Sequence, residues 1–135
     1  MRALLIGFST FFAAGLAVAD DVSDSDMLLC SASRVMLCFE SGECMDADPW
    51  EMDMPQFVLI DLKQDTVSTT RASGQDRSTK VQSSSDETEI FLQGVENGRA
   101  FSFVIDQATG ILSAAISSDG ATISVFGACT DSDNL

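Results

Sequence analysis

Residues 88–129, TEIFLQGVENGRAFSFVIDQATGILSAAISSDGATISVFGAC, decide the fold. Four strand-like runs follow one another at even spacing, and each of the first three ends on a turn signal. TEIFLQG runs into Glu96-Asn97-Gly98, RAFSFVID into Gln107-Ala108-Thr109-Gly110, and ILSAAISS into Asp119-Gly120; ATISVFGAC completes the set. Asn-Gly and Asp-Gly reach the positive φ angles that tight hairpins demand, so the runs read as an antiparallel meander. Alternation agrees: Phe101, Phe103 and Ile105 share one face, as do Leu112, Ala114 and Ile116, while Ala100, Ser102 and Val104 share the other. One bulky and one small face suit a closed or strongly curled sheet, which also removes exposed edges.

Upstream, FVLIDL from Phe57 and DTVSTT from Asp65 read as a hairpin around Lys63-Gln64. RASGQDRSTKVQSSSDE, residues 71–87, has no apolar face and reads as a long mobile hairpin or loop. MLLCSASRVMLCF, residues 27–39, fits two short strands around a Ser-Ala-Ser turn or a helix. The expectation is an all-β domain over residues 27–130: an antiparallel meander of about six to eight strands forming a small, disulfide-stapled barrel or strongly curled sheet.

Residues 1–19 read as an export signal, with Arg2, an apolar run, and Ala17-Val18-Ala19 as the cleavage site. Residues 20–26 read as a disordered acidic lead-in and residues 131–135 as a tail. These features imply a periplasmic or secreted protein, with no membrane attachment after signal cleavage. A net charge of −14 repels phosphate backbones and excludes nucleic acid as a partner, while favouring a cationic protein or a small ligand. Histidine and tyrosine are absent, which removes the usual neutral-pH base and the commonest metal ligand. With no nucleophile elbow, Cys–His pair or phosphate loop in the sequence, the reading is a non-enzymatic binding module with no cofactor.

Cys30, Cys38, Cys44 and Cys129 are expected to form two bridges in an oxidising compartment. Two connectivities fit: Cys38–Cys44 with Cys30–Cys129, or Cys30–Cys38 with Cys44–Cys129. Neither makes a redox motif.

The Asn97–Thr130 tract resembles the ending of a group of small exported bacterial β-proteins. Its marks are Ile105-Asp106, then Thr109-Gly110-Ile111-Leu112, then Gly127-Ala128-Cys129. Turn and strand residues make up this resemblance, so it implies architecture and not activity. The periplasmic inhibitors of c-type lysozyme, also small disulfide-stapled barrels, are similar in kind. Ser31-Ala32-Ser33 and Ala72-Ser73-Gly74 partly match their Ser-Ala-Ser-Gly loop, and that likeness implies inhibition of a cationic cell-wall hydrolase. PWEMDMPQF resembles the Trp/Met segment of periplasmic Cu(I) and Ag(I) chaperones at Trp50, Met52, Met54 and Phe57. Here the Trp-to-Met spacing is one residue shorter and no histidine is present, so Met45 or a reduced cysteine would have to serve as third ligand. Packing beneath a loop is the favoured role for these methionines.

Overall fold

A computed structural model describes residues 20–134. The export signal expected at residues 1–19 lies outside the described residues. Nine strands follow in order: β1 Met27–Phe39, β2 Cys44–Ala47, β3 Phe57–Asp61, β4 Thr66–Thr69, β5 Ser78–Ser85, β6 Glu89–Glu96, β7 Arg99–Asp106, β8 Ile111–Ser118 and β9 Ala121–Asp131. Strands β3 to β9 pair sequentially and antiparallel, and β1 joins β3 to β9, closing an eight-stranded barrel. The ninth strand, β2, is a flap on the upper half of β1: Val35–Cys38 pair with β2, while Met27–Ser31 of the same edge pair with β3.

Residues 27–39 are therefore one long strand, neither two strands nor a helix. A bulge between Ala32 and Arg34 explains the broken pattern. It leaves Ser33 out of the ladder, with its hydroxyl donating to the Phe126 carbonyl at 3.0 Å. The extra residue resets the alternation, so Leu28, Cys30 and Ala32 before it and Val35 and Leu37 after it all contribute to the core.

The turns explain the sequence marks that stood out. Asn97 and Gly98 both take positive φ, at 50° and 72°, as a two-residue hairpin between Glu96 and Arg99 requires. At the β7–β8 turn, Asp106 Oδ1 accepts the Thr109 amide at 2.9 Å and its hydroxyl at 2.8 Å. Gly110 follows at φ 70°, where a Cβ would stand 2.2 Å from the Cys129 carbonyl oxygen. Gly127 pairs with Ala32 at the bulge, and a Cβ there would stand 1.9 Å from the Ser31 carbonyl oxygen. The Ile-Asp, Thr-Gly and Gly-x-Cys marks thus sit at a turn and at the β1–β9 seam.

Inward positions of all eight barrel strands build the core. Leu28, Ile60, Leu92 and Ile105 are fully buried, each contributing roughly 1.5–3 kcal/mol relative to exposure. The outer wall is rich in serine and alanine. Among the described residues, Asp and Glu outside the short β2 fall only at the first or last residue of a strand or in the connections, so the acids gather at the two ends of the barrel.

Three further expectations change. The polar tract 71–87 holds a 3-10 turn at Arg71–Ser73 and the whole of β5, because Thr79 and Val81 suffice to face the core in a strand whose other positions are solvated. Residues 20–26 are packed where a disordered lead-in is expected. Val22 has no exposed surface, and its amide donates to the Gln107 carbonyl at 2.8 Å, so one apolar side chain anchors an acidic segment across one end of the barrel. The domain runs past the expected boundary at residue 130, β9 reaching Asp131 and a 3-10 turn covering Ser132–Asn134 of the expected tail.

Both disulfides are present, as Cys30–Cys129 and Cys38–Cys44. Each joins residues directly opposite in a ladder, Cys30 with Cys129 across the closing seam and Cys38 with Cys44 across the β1–β2 hairpin. The alternative connectivity is incompatible with this register. No helix among the described residues is long and apolar enough to cross a membrane.

Candidate functional site: the open end of the barrel

One end of the barrel is closed by Val22 and the other holds a cavity of about 110 Å3. Its deep part is apolar, with Cys30, Phe103, Leu112 and Val125 among its lining residues. The space exists because small residues fall at inward positions: Ala32, Thr79 and Ala114 line it, and Gly127 adds no side chain beside Ala32 and Leu112. Across the barrel, Gly94 makes room for an aromatic ring instead. A Cβ there would lie 2.7 Å from Phe101 Cζ, and Phe101 in turn packs on Phe103 with ring centroids 5.3 Å apart. A glycine on β6 and two phenylalanines on β7 make one wall.

The rim is polar. Arg77, just before β5, Glu96 at the end of β6 and Arg99 at the start of β7 surround the opening with Asn97. Arg77 Nε lies 3.0 Å from Glu96 Oε1, and its Nη1 donates to the Asp53 carbonyl at 3.0 Å. Glu96, as a hydrogen-bonded neighbour, raises the Arg77 pKa further above its ordinary value, so the guanidinium stays charged. Arg99 Nη1 donates to the Met52 carbonyl at 2.9 Å. Two arginines from the barrel thereby tie down the Asp48–Gln56 connection, whose 3-10 turn Pro49–Met52 ends on Asp53 at φ 52°.

This connection contains the Trp/Met segment singled out in the sequence. Met52 and Met54 pack against the core, and Met54 also lines the cavity, consistent with the packing role. Trp50 and Met45 lie outside that arrangement, 67% and 49% exposed, with Met45 on β2 opposite Leu37. All four cysteines are consumed in disulfides, so no thiol accompanies the methionines. Ser31-Ala32-Ser33 lies in β1 at the bulge, whereas Ala72-Ser73-Gly74 forms the 3-10 turn at the rim and its left-handed cap.

Sequence reasoning missed Arg77, Glu96 and Arg99 as a group. They come from three separate elements and meet only when the barrel closes. The one local signal is the Asn97-Gly98 turn, which places Glu96 and Arg99 at a barrel end.

Fold and site together define a small, disulfide-closed antiparallel barrel with an apolar interior that opens through a polar rim. The chain matches no family model, no curated protein and no solved structure.

Proposed function

We propose that this protein is a non-enzymatic binding module of an oxidising compartment, periplasmic or secreted, that holds a small and mainly apolar ligand in the open end of its barrel. The observation that carries the reading is the cavity. Protein interiors pack with few voids larger than a water molecule, so about 110 Å3 of apolar space leading to a polar rim is the form a small-molecule site takes. The compartment is supported by the two disulfides and by the export signal read in the sequence.

The non-enzymatic part is supported by what lines the cavity. Its ionisable groups are Arg77, Glu96 and Arg99, and Glu96, the one candidate base, is tied to Arg77.

Methyl NMR tests the reading. Xenon or pentan-1-ol added to the protein should shift the methyl signals of Ala114, Ile116 and Val125 saturably, leaving those of outward-facing Val95 and Val104 unmoved. Ala114→Val, which fills part of the space, should weaken the response. Lumenal methyls that do not respond to either probe would refute a ligand-binding interior.

A further inference from the structure

We propose that the ligand of this cavity is a small amphipathic anion, whose apolar body occupies the lumen and whose terminal oxyanion is met at the rim by Arg99. The inference rests on the binding reading above and goes further by assigning the ligand's chemistry and the residue that recognises it.

The reasoning starts from an imbalance. The chain has 21 acidic and 7 basic residues, so each cation has carboxylates to choose from. Arg34, Lys63 and Arg77 do pair, with Asp46, Asp26 and Glu96. Among the described residues Arg71, Lys80 and Arg99 have no carboxylate within ion-pair distance; Arg71 and Lys80 are exposed, whereas Arg99 is half-buried and lies at the cavity rim. A guanidinium carries five N–H donors, and the protein hydrogen bond made by Arg99 among the described residues is Nη1 to the Met52 carbonyl.

The neighbouring carboxylate is drawn away by construction. Glu96 stands directly across the ladder from Arg99, yet its carboxylate bonds Arg77. Arg77 is itself fixed by the Asp53 carbonyl and by Gln75 Oε1. The site thus has one neutralised ion pair and one oriented guanidinium with donors to spare, beside an apolar cavity. Planar guanidinium donors match the paired oxygens of a carboxylate or phosphate.

Size limits the body. A cavity of about 150 Å3 takes one benzene ring, so the smaller one here takes roughly four to six carbons. Met54, an unbranched and adaptable side chain in the wall, gives some latitude in shape. The net charge of the chain opposes anions at a distance, but such fields are screened beyond about 8 Å at physiological ionic strength. Recognition therefore depends on contact with Arg99.

Calorimetric titration tests this with matched probes: pentanoate, pentyl phosphate and the neutral pentanamide. Native protein should bind an anionic probe about tenfold more tightly than pentanamide, and whichever anion binds better names the head group. Arg99→Gln keeps a donor for the Met52 carbonyl and removes the charge, so it should bring the anion-to-amide ratio close to one. Arg34→Gln removes the same charge from the exposed pair with Asp46 and should leave the ratio unchanged. Equal binding of anion and amide by native protein overturns the anionic head while the apolar site stands. A ratio lowered as much by Arg34→Gln as by Arg99→Gln overturns it too, since net charge would then be the cause. If none of the probes binds, both readings fall.

Discussion

Removing each disulfide in turn should have very unequal effects. Cys30–Cys129 spans a sequence separation of 99 and Cys38–Cys44 a separation of 6. On chain entropy alone, a loop of about 100 residues restricts the unfolded state by about 4.7 kcal/mol, and one of about six residues by about 2.2 kcal/mol. Burial widens the gap: Cys30 and Cys129 are 1% and 3% exposed, so replacing both by alanine also leaves a void in the core. Cys38 and Cys44 lie towards the surface. Cys30→Ala with Cys129→Ala should therefore cost about 5 kcal/mol or more, and Cys38→Ala with Cys44→Ala about 2. Small domains are stable by only about 5–15 kcal/mol, which leaves the first variant close to unfolding. Urea unfolding followed by far-ultraviolet circular dichroism measures both. With a slope of roughly 1.5 kcal/mol/M, the midpoint should fall by about 3 M or more for the seam and about 1.5 M for the hairpin. Equal midpoint losses, or a larger loss for the hairpin, would refute the claim that the seam bridge is the main covalent constraint.

Two further outcomes follow from the closed end of the barrel. Val22→Ala should cost about 1.5–2.5 kcal/mol, seen as a lowered thermal midpoint, while Val95→Ala, at a side chain 69% exposed, should change little; similar effects would mean that residues 20–26 are not anchored. Asp86 accepts the amides of Thr88 and Glu89, both at 2.8 Å, and these bonds lower its pKa below the ordinary 3.8. Because the folded value is depressed, the stability it contributes is present above pH 3.8 and is lost as pH falls through the folded value. Asp86→Ala should thus be less stable than native protein at pH 6, with the difference shrinking below pH 3.8; a difference constant from pH 6 to pH 3 would contradict this.

The legible parts of the fold were those governed by local rules. Asn97-Gly98 and Asp119-Gly120 fix hairpins through backbone conformation, and the alternation in β7 and β8 fixes which side chains turn inward, so the meander from Thr88 to Cys129 follows from sequence. The illegible parts were decided by tertiary closure. Nothing local marks the Ser33 bulge, which exists because Gly127 lets β1 approach β9 closely. Polar residues 78–85 become a strand because the barrel needs one between β4 and β6. A single valine does not reveal that it will anchor the six aspartates and serines around it. The candidate site was least visible of all, since Arg77, Glu96 and Arg99 converge only at the finished rim. Trp50 and the methionines drew attention by composition, yet Met54 alone among them lines the cavity.

The seam between β1 and β9 joins the first and last strands of the described fold by a full ladder and by a covalent bond. Topologically the eight-stranded barrel is a ring, in which none of its strands is an edge and only the flap β2 has a free side, and the order along the chain is one of several equivalent ways to walk the circle. A short linker from the end of β9 to the start of β1, which lie at the same end of the barrel, would let the chain be opened instead at Asp119-Gly120 with every neighbour preserved. A scaffold of this kind has interchangeable starting points, and its rim can be re-cut without disturbing its walls.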